Sequence, residues 1–427
     1  MAGLDAVDAE AASHLMIPAR DERLRIVRVI TRLNIGGPSI HAALLSTRLD
    51  PARFQTCLVV GRADPSEGDL SGRVAGGSVR LVRLHALRRA LRPWLDGVAL
   101  LQLLQLFWRE RPHLVHSHMA KAGALSRVAG FLYNRVGPGR SPGARAVLIH
   151  TFHGHVLEGY FSAQRSRFFI RIERWLARRT DRLIAVSAAI RQELLAKGIG
   201  RPDQWRVIPL GVELSALARL PIAGEARSVV RIGFVGRLVP IKHPSLFLQG
   251  MARALQRVPG AMMSGIVVGD GELRGVLEEE RRQLGLDGRV QFTGWQHDLP
   301  SVYQGLEVLC VTSWNEGTPV ALIEALAAGR AVISTDVGGV RDVLDGGSGM
   351  AEPIPAGGFR VAARGLLIRP GDVEGLAAAL HRLVMDAPLR QRLGEAGRGH
   401  AMRTFAPERL VGDITALYEA LLPRGRA

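Results

Sequence analysis

The feature that most constrains the fold of this chain is an alternation of short apolar runs with helix-like stretches, which occurs twice. In the first half, the apolar runs are residues 25–31, 56–60, 114–116, 147–151, 182–186 and 205–208. In the second half, they are residues 230–235, 265–268, 290–292, 308–312 and 331–334. Strands that alternate with helices are typical of parallel sheets with crossover helices. The sequence therefore predicts an α/β protein with two Rossmann-like halves.

The length of 427 residues is too great for one ordinary hydrophobic core and agrees with two domains. Periodicity fades over residues 217–228, which we interpret as a linker between an N-terminal domain at 23–216 and a C-terminal domain at 229–404. Residues 1–22 are expected to be a flexible tail, and 405–427 a C-terminal helix that can pack back on the first domain. A ligand of such a protein is expected in a central cleft between the halves, at the carboxyl ends of the strands.

The chain is strongly basic, with 56 Lys and Arg against 39 Asp and Glu and a formal net charge of +17. This charge allows three kinds of partner: nucleic acid, an anionic membrane surface, or an anionic small substrate. Aromatic residues make up only 5% of the chain, and it has no helix-turn-helix, zinc-finger or RNA-recognition signature. We therefore expect no nucleic-acid partner.

The cysteine usage and the early residues point to the cytoplasm. Cys57 and Cys310 are the only cysteines and lie far apart in sequence, which argues against a disulfide framework and fits a reducing compartment. The first twenty or so residues include acidic side chains and lack a long apolar run, so they do not resemble a secretory signal. No stretch reaches the roughly 20 apolar residues needed to span a bilayer.

Residues 314–329 (WNEGTPVALIEALAAG) are predicted to form a loop followed by a helix. Thr318 is a plausible N-cap, and Pro319 would be the first helical residue. No Glu or Gln stands three residues after Thr318 to close a capping box, so the first-turn amides are available to an anion. Glu316 and Glu324 stand on either side. An ordinary capped surface helix with two solvated glutamates is the alternative; a nucleotide sugar is the ligand that suits the pattern.

Two cations follow the first strand of the second half. Arg237 and Lys242 come directly after the strand and Gly236, where they can clamp a phosphate, or remain solvated. In the first half, Gly36 and Gly37 follow the first strand and precede a helix, which is how α/β folds bring backbone amides to a phosphate.

Two further strand ends are candidates for the ligand cleft. Gly269 belongs to a glycine turn (VVGDGEL) between a strand and a helix. Trp295 follows the next strand, where an aromatic ring or backbone groups can meet a base. Either turn can also be only a turn.

Histidines are concentrated at two strand ends of the first half: His116, His118, His150, His153 and His155. Imidazole clusters can bind metal, but no Cys or carboxylate recurs beside these residues. A neutral imidazole can instead hydrogen-bond a sugar hydroxyl or a phosphate oxygen. His153, beside Gly154, is the strongest single candidate.

These motifs together resemble the retaining glycosyltransferases of family 4, which have the GT-B fold. The similarity extends from about Arg25 to about Ala420, and the motifs occur in the order Gly36-Gly37, Gly236-Arg237…Lys242, Gly269-Asp270-Gly271-Glu272-Leu273 and Glu316-Gly317-Thr318-Pro319…Glu324. The His116–Gly123 and Thr151–His155 segments resemble bacterial members that build surface polysaccharides.

The resemblance implies roles for the matching positions. Arg237 and Lys242 would hold the donor diphosphate and support the leaving nucleotide. The helix tip, at Gly317, Thr318, Pro319 and Val320, would lie under the diphosphate, with further donor contacts at Gly36, Gly37, Gly236, Gly269 and Trp295.

The remaining implied roles concern the two sugars of the donor. Glu324 would bind the ribose, Glu316 would lie at the transferred sugar, and His153 would contact that sugar near the reacting carbon. Members of the family are usually metal-independent, so no cofactor and no metal are expected. The implied reaction is a same-face displacement in which the leaving phosphate helps to deprotonate the acceptor.

The implied donor is a UDP- or GDP-sugar, and the implied acceptor is a lipid-linked or polysaccharide precursor at the inner face of the cytoplasmic membrane. A soluble small-molecule acceptor and a catalytically silent nucleotide-sugar-binding protein are the alternatives. Residues 165–182 (RSRFFIRIERWLARRTDR) combine arginines with an apolar stripe at helical spacing, which predicts either a peripheral contact with an anionic membrane or a stripe packed into the first domain. The Gly-rich segment 345–358 is expected to be a surface loop or hairpin.

Overall fold

The computed structural model describes residues 23–34, 36–62, 68–74, 77–154, 163–223, 229–257, 263–346 and 352–422. The predicted tail at 1–22, residues 224–228 of the predicted linker, His155 and part of the Gly-rich segment lie outside the described residues. The chain forms two seven-stranded sheets, one on each side of the predicted linker. The domain boundaries themselves stay predictions.

The first sheet has the strand order β3-β2-β1-β4-β5-β6-β7, and each neighbouring pair is parallel. Its strands are β1 Leu24–Ile30, β2 Phe54–Gly61, β3 Arg80–Leu84, β4 Leu114–His118, β5 Val147–Phe152, β6 Arg182–Ala185 and β7 Trp205–Val207. Strand β3 was not predicted. It lies at the sheet edge, and its residues are mostly exposed or half-buried, so its sequence lacks the continuous apolar run of a central parallel strand.

In the described part of this half, the α-helices that connect these strands are α1 Gly37–Arg48, α2 Pro93–Glu110, α3 Ala120–Val136, α4 Ala163–Ala177 and α5 Ala188–Ala196. Val29, Leu103 and Phe107 belong to the core on one face of the sheet, and Ile26 and Leu45 belong to the core on the other. Burial on both faces explains why the central strands are apolar throughout rather than alternating.

Helix α4 contains most of the predicted basic stretch, and only part of its apolar stripe is exposed. Leu176 is buried and Phe169 packs against the core of the first domain. Phe168 and Trp175 remain 58% and 40% exposed. Helix α4 therefore divides its stripe between the two predicted arrangements, because it needs part of the stripe to cover its own sheet.

The second sheet has the order β10-β9-β8-β11-β12-β14-β13. Its strands are β8 Val230–Val235, β9 Met263–Val268, β10 Val290–Gly294, β11 Val308–Val311, β12 Ala331–Thr335, β13 Phe359–Ala362 and β14 Gly365–Ile368. All neighbours are parallel except β13 and β14, which form an antiparallel edge hairpin. The surface loop or hairpin was predicted at residues 345–358. The hairpin lies just after this segment, because the first residue of β13 that pairs with β14 is Phe359.

The helices of the second half are α6 Ser215–Ala218, α7 Pro244–Leu255, α8 Arg274–Gln283, α9 Leu299–Gln304, α10 Val320–Ala327, α11 Val340–Asp345, α12 Val373–Met385 and α13 Ala387–Thr404. They enclose two large apolar clusters, one on each side of the sheet. In the part of the chain that the structure describes, no helix has both the length and the apolar character to cross a bilayer.

The last helix, α14 Pro407–Leu421, packs on the first sheet rather than the second. The Tyr418 hydroxyl accepts a hydrogen bond from buried Arg28 at 2.9 Å and lies 2.6 Å from His116 Nδ1. The other nitrogen of the His116 ring, Nε2, lies 2.7 Å from Thr151 Oγ1. This buried network fixes α14 to β1 and β4.

The chain passes between the two sheets twice, and the two connections lie side by side. The amide of Val212 donates to the carbonyl oxygen of Phe405 at 2.9 Å. Arg409 donates to the carbonyl oxygens of Pro209 and Leu210 at 2.7 and 2.9 Å. These bonds hold the return connection to the outgoing one.

Candidate active site

The candidate site is built around the loop that joins β11 to α10. Helix α10 begins at Val320, one residue later than predicted, and Pro319 is its N-cap with extended geometry and no side-chain cap bond. The prediction that Thr318 caps the helix was therefore wrong. A residue before proline is biased away from helical geometry, which keeps Thr318 outside the helix. Its buried hydroxyl has no hydrogen-bond partner among the described residues.

Gly317 occupies the tightest point of this loop. A Cβ on Gly317 would overlap the carbonyl oxygen of His153, which belongs to the first domain. On the other side, Cβ atoms on Gly338 and Gly339 would overlap the carbonyl oxygens of Glu316 and Gly317, respectively. The loop therefore passes between two backbones, and only glycine fits there.

Glu316 is buried, and its carboxylate binds two donors. Lys242 Nζ lies 2.5 Å from Oε1, and Ser313 Oγ donates to the same oxygen at 2.5 Å. The side chains of Lys242 and Glu316 are 25% and 9% exposed. A cation and a carboxylate that are 74 positions apart in sequence thus meet beside the start of α10.

The loop that carries Arg237 and Lys242 is held against the end of β11. Thr312 Oγ1 donates to the carbonyl oxygens of Lys242 and His243 at 3.1 and 2.9 Å. The ring of His243 stacks on Trp314 with a centroid distance of 4.5 Å and an interplanar angle of 16°. Arg237 is half-buried in the same loop. The two bonds from Thr312 and the ring stack fix the backbone that carries Lys242.

Glycines join the neighbouring strand ends. Gly269 has a φ of 131°, and a Cβ there would overlap the carbonyl oxygen of Gly236. The amide of Gly236 donates to Val268 at 2.9 Å, and that of Gly269 donates to Gly294 at 2.8 Å. Trp295 follows β10 and is 36% exposed, so its ring is open to a ligand.

Glu324 lies in the second turn of α10 and is buried. The hydroxyl of Tyr303 donates to Glu324 Oε2 at 2.8 Å. Burial and the neighbouring carboxylate raise the pKa of Tyr303 well above its ordinary value, so the hydroxyl stays protonated. Tyr303 therefore orients the carboxylate, a role that the sequence did not reveal.

The first domain meets α10 through its glycine turn. A Cβ on Gly37 would lie 3.2 Å from Cγ2 of Val320. Gly36 precedes α1, and its carbonyl oxygen accepts hydrogen bonds from the amides of Ser39 and Ile40 at 3.1 and 3.0 Å. The predicted glycine pair and the predicted helix tip thus face each other.

The histidines at the ends of β4 and β5 divide into two groups. His116 bonds to Tyr418 and Thr151, and His150 Nδ1 lies 2.9 Å from Ser117 Oγ. The rings of His116 and His150 therefore form hydrogen bonds to other protein groups and are not available to a ligand in the cleft.

His118 and His153 form the second group. Nδ1 of His118 lies 3.0 Å from Nε2 of His153. Burial lowers the pKa of His118 well below its ordinary value and that of His153 to about 3, so both rings are neutral at pH 7. His41, in α1, lies 4.9 Å from the ring of His153. It was not predicted, because a single histidine in a helix carries no local signal.

Comparison with known families gives matches to both domains. A family described as "Glycosyl transferase 4-like domain" matches residues 36–211, and one described as "Glycosyl transferases group 1" matches residues 229–386. The two matches cover the second sheet, every strand of the first sheet except β1, and the glycine turns, cations and carboxylates described above. The chain belongs to the group 1 glycosyltransferases.

Two relatives show what this glycosyltransferase resembles. It is 28% identical over 284 residues to the Escherichia coli UDP-Gal:alpha-D-GlcNAc-diphosphoundecaprenol alpha-1,3-galactosyltransferase, across 63% of this chain and 70% of that protein. It is 32% identical over 201 residues to a D-inositol 3-phosphate glycosyltransferase of Corynebacterium jeikeium (strain K411), across 45% of this chain and 44% of that protein.

A solved structure shows the same architecture. Anabaena Alr3699/HepE, determined in complex with UDP and glucose, aligns with a TM-score of 0.71 and 18% identity over 93% of this chain and all of that chain. The predicted GT-B fold, with two parallel-sheet α/β domains, is therefore confirmed.

Proposed function

We propose that this glycosyltransferase moves a sugar, with retention of configuration, from a UDP- or GDP-sugar to a lipid-linked or polysaccharide-precursor acceptor. The observation that carries the proposal is the contact of Lys242 with Glu316 beside the start of α10, where the glycine turns of both domains meet. This arrangement puts a cation for phosphate and a carboxylate for sugar hydroxyls in one place.

The donor diphosphate would bind between the two cations and the helix tip. Arg237 offers a planar fork and Lys242 a movable point charge, and both neutralise phosphate. The first amides of α10 add fixed partial positive charge. Lys242 donates a hydrogen bond to Glu316, and the bound phosphate would accept another hydrogen bond from the same ammonium group. Two cations then serve where other enzymes use a metal ion, and we propose that turnover needs none.

The two ends of the donor would meet the two carboxylates. Glu324, oriented by Tyr303, would accept hydrogen bonds from the ribose hydroxyls, and Glu316 from hydroxyls of the transferred sugar. A neutral His153 would bind the sugar near its reacting carbon. In the reaction, the bond from that carbon to the phosphate oxygen breaks, and the acceptor oxygen bonds to the carbon on the same face. The acceptor proton passes to the leaving phosphate.

The nature of the acceptor is supported by two observations. The E. coli relative is named for a diphosphoundecaprenol acceptor, which is lipid-linked. Helix α4 also presents exposed aromatic rings, Phe168 and Trp175, among exposed arginines. A basic face of this kind gains about 1 kcal/mol per charge at an anionic bilayer, so we propose that the enzyme binds the cytoplasmic membrane peripherally.

Vesicle binding tests the membrane part. We expect salt-sensitive binding to vesicles with anionic lipid and little binding to neutral ones. Replacing exposed Arg167, Arg171 and Arg178 with Gln should weaken binding; Arg174 is kept because it holds the carbonyl oxygen of Lys197 at 2.7 Å. Equal binding to both vesicle types, or to neither, would contradict the membrane proposal.

Donor binding and product analysis test the reaction. A panel of UDP- and GDP-sugars is screened by thermal shift, because a ligand at 100 times its dissociation constant adds about 2.7 kcal/mol of stability. The stabilising donor is then incubated with a polyprenyl-diphosphate sugar, and the anomeric configuration of the product is read by NMR. An inverted product would refute retention, and donor binding without transfer to any acceptor would favour a silent binding protein.

A soluble acceptor is the second candidate, because the C. jeikeium relative is named for D-inositol 3-phosphate. Nucleotide release with a soluble sugar phosphate, but not with the lipid-linked acceptor, would establish this alternative.

A further inference from the structure

Three histidines converge in the first domain from three separate elements. His41 comes from α1, His118 ends β4, and His153 follows β5. One ring nitrogen of each lies within 4.8 Å of those of the other two. The ring of His41 lies 4.9 Å from that of His153 and 5.5 Å from that of His118.

The nitrogens of these rings are unusually short of partners. Both nitrogens of His41, Nε2 of His118 and Nδ1 of His153 are buried without a hydrogen-bond partner in the described structure. Buried polar atoms normally have a partner, and leaving them without one is unfavourable. The neighbouring His116 makes two hydrogen bonds, so the shortage does not extend to the adjacent ring.

From this geometry we infer that His41, His118 and His153 form a binding site for a divalent transition-metal cation of the zinc class. Imidazole nitrogen suits zinc, cobalt and nickel, whereas magnesium and calcium prefer oxygen ligands. A zinc ion holds its nitrogens at about 2.0–2.1 Å and therefore about 3.3 Å apart in a tetrahedron. The three nitrogens now lie within 4.8 Å of one another. Side-chain rotations that shorten each separation by about 1.5 Å or less bring them to the tetrahedral spacing, and a water molecule takes the fourth position.

The cation site has a consequence for turnover that rests on the proposed function. His153 is the proposed contact of the transferred sugar, and a ring that ligates a cation is drawn towards His41 and His118. The cation therefore competes with the donor sugar. It acts as a reversible inhibitor, which differs from the catalytic role of magnesium or manganese in metal-dependent transferases.

Metal binding is tested on the full-length protein after treatment with EDTA and dialysis. Calorimetry with zinc chloride is expected to give about one equivalent bound, and cobalt chloride is expected to give the visible absorption of a four- or five-coordinate site. His41→Gln and His118→Gln, on two different elements, should each lower the affinity for zinc at least about tenfold. His85→Gln, an exposed histidine after β3, is the matched control and should bind like the parent.

Circular dichroism shows that each variant is folded before its binding is compared. No zinc binding by the parent, or equal binding by the parent, His41→Gln and His118→Gln, would overturn the site. Magnesium that binds as tightly as zinc would overturn the assignment of the cation class.

Competition is measured separately, as the thermal shift produced by UDP-glucose and GDP-mannose with and without zinc. The expected result is a loss of the donor-induced shift in the parent and in His85→Gln, and its retention in His41→Gln. A donor shift that zinc leaves unchanged would overturn the inhibition. If neither donor shifts the protein even without zinc, the proposed function is in question, while the calorimetric result still decides the metal site.

Discussion

Replacing Lys242 with Met separates the stability of the candidate site from its chemistry. The methionine keeps most of the apolar part of the side chain and removes the ammonium, so the buried carboxylate of Glu316 retains the hydrogen bond from Ser313 and loses the one from Lys242. Removing one partner of a fully buried pair costs about 3–5 kcal/mol, and an exposed pair is worth about 0–1 kcal/mol. With side chains 25% and 9% exposed, the expected loss of unfolding free energy lies between these limits, at about 1–3 kcal/mol.

The catalytic effect should be larger than the structural one. Loss of one preorganised donor to developing charge typically lowers turnover on the order of 100-fold or more. Urea unfolding gives the stability, and donor consumption under saturating acceptor gives the turnover. Arg289→Met, at an exposed residue before β10, is the control and should stay within about 0.5 kcal/mol of the parent.

The double variant Lys242→Met/Glu316→Gln makes the argument falsifiable. Neutralising the carboxylate removes the stranded charge, so the double variant should be more stable than Lys242→Met alone, with a coupling of about 1 kcal/mol or more. Its turnover should remain low, since both predicted donor contacts are gone. Additive stability losses would refute the energetic role of the ion pair, and normal turnover by Lys242→Met would refute the phosphate-binding role.

Three further predictions follow. Arg237→Ala should lower turnover on the order of 100-fold with little change in the urea midpoint, because the residue is half-buried in a loop; unchanged turnover would remove it from the donor site. Activity should survive EDTA, and loss of activity that magnesium or manganese restores would contradict the metal-independent mechanism. Tyr418→Phe should lower the unfolding free energy by about 1–3 kcal/mol, since Arg28 and His116 each lose a buried partner; Tyr133→Phe is the control, and equal losses would show that the network is not responsible.

Much of the fold could be predicted because a buried parallel strand is apolar throughout. Strand β8 was predicted to the residue at Val230–Val235, where both faces are covered. Strands β3, β13 and β14 were missed. Strands β3 and β13 are only partly covered and contain arginines, and β14 is buried but has only four residues and begins with glycine. Turn glycines and strand-end cations were predictable for a similar local reason, because each comes shortly after a strand in the sequence.

The site was harder to predict where it depends on contacts between distant segments. The pairing of Lys242 with Glu316 joins two loops of the second domain, and no local pattern encodes it. The amide of Ala189 in α5 donates to Asp342 of α11 at 2.9 Å, a contact between domains that neither sequence segment indicates alone. His41 was overlooked for the same reason: its importance comes from the two rings it meets, not from its neighbours in sequence.

The position of α14 makes the second domain an insertion within the first. Its residues Leu410 and Ile414 complete the core that contains Ile26 and Ile149, yet about 200 residues of the second domain are synthesised between them. A nascent chain that has not reached Pro407 therefore exposes an apolar face on its first sheet while the second domain is already complete. The first domain is then completed only after the second, because it depends on a helix that is synthesised after the second domain.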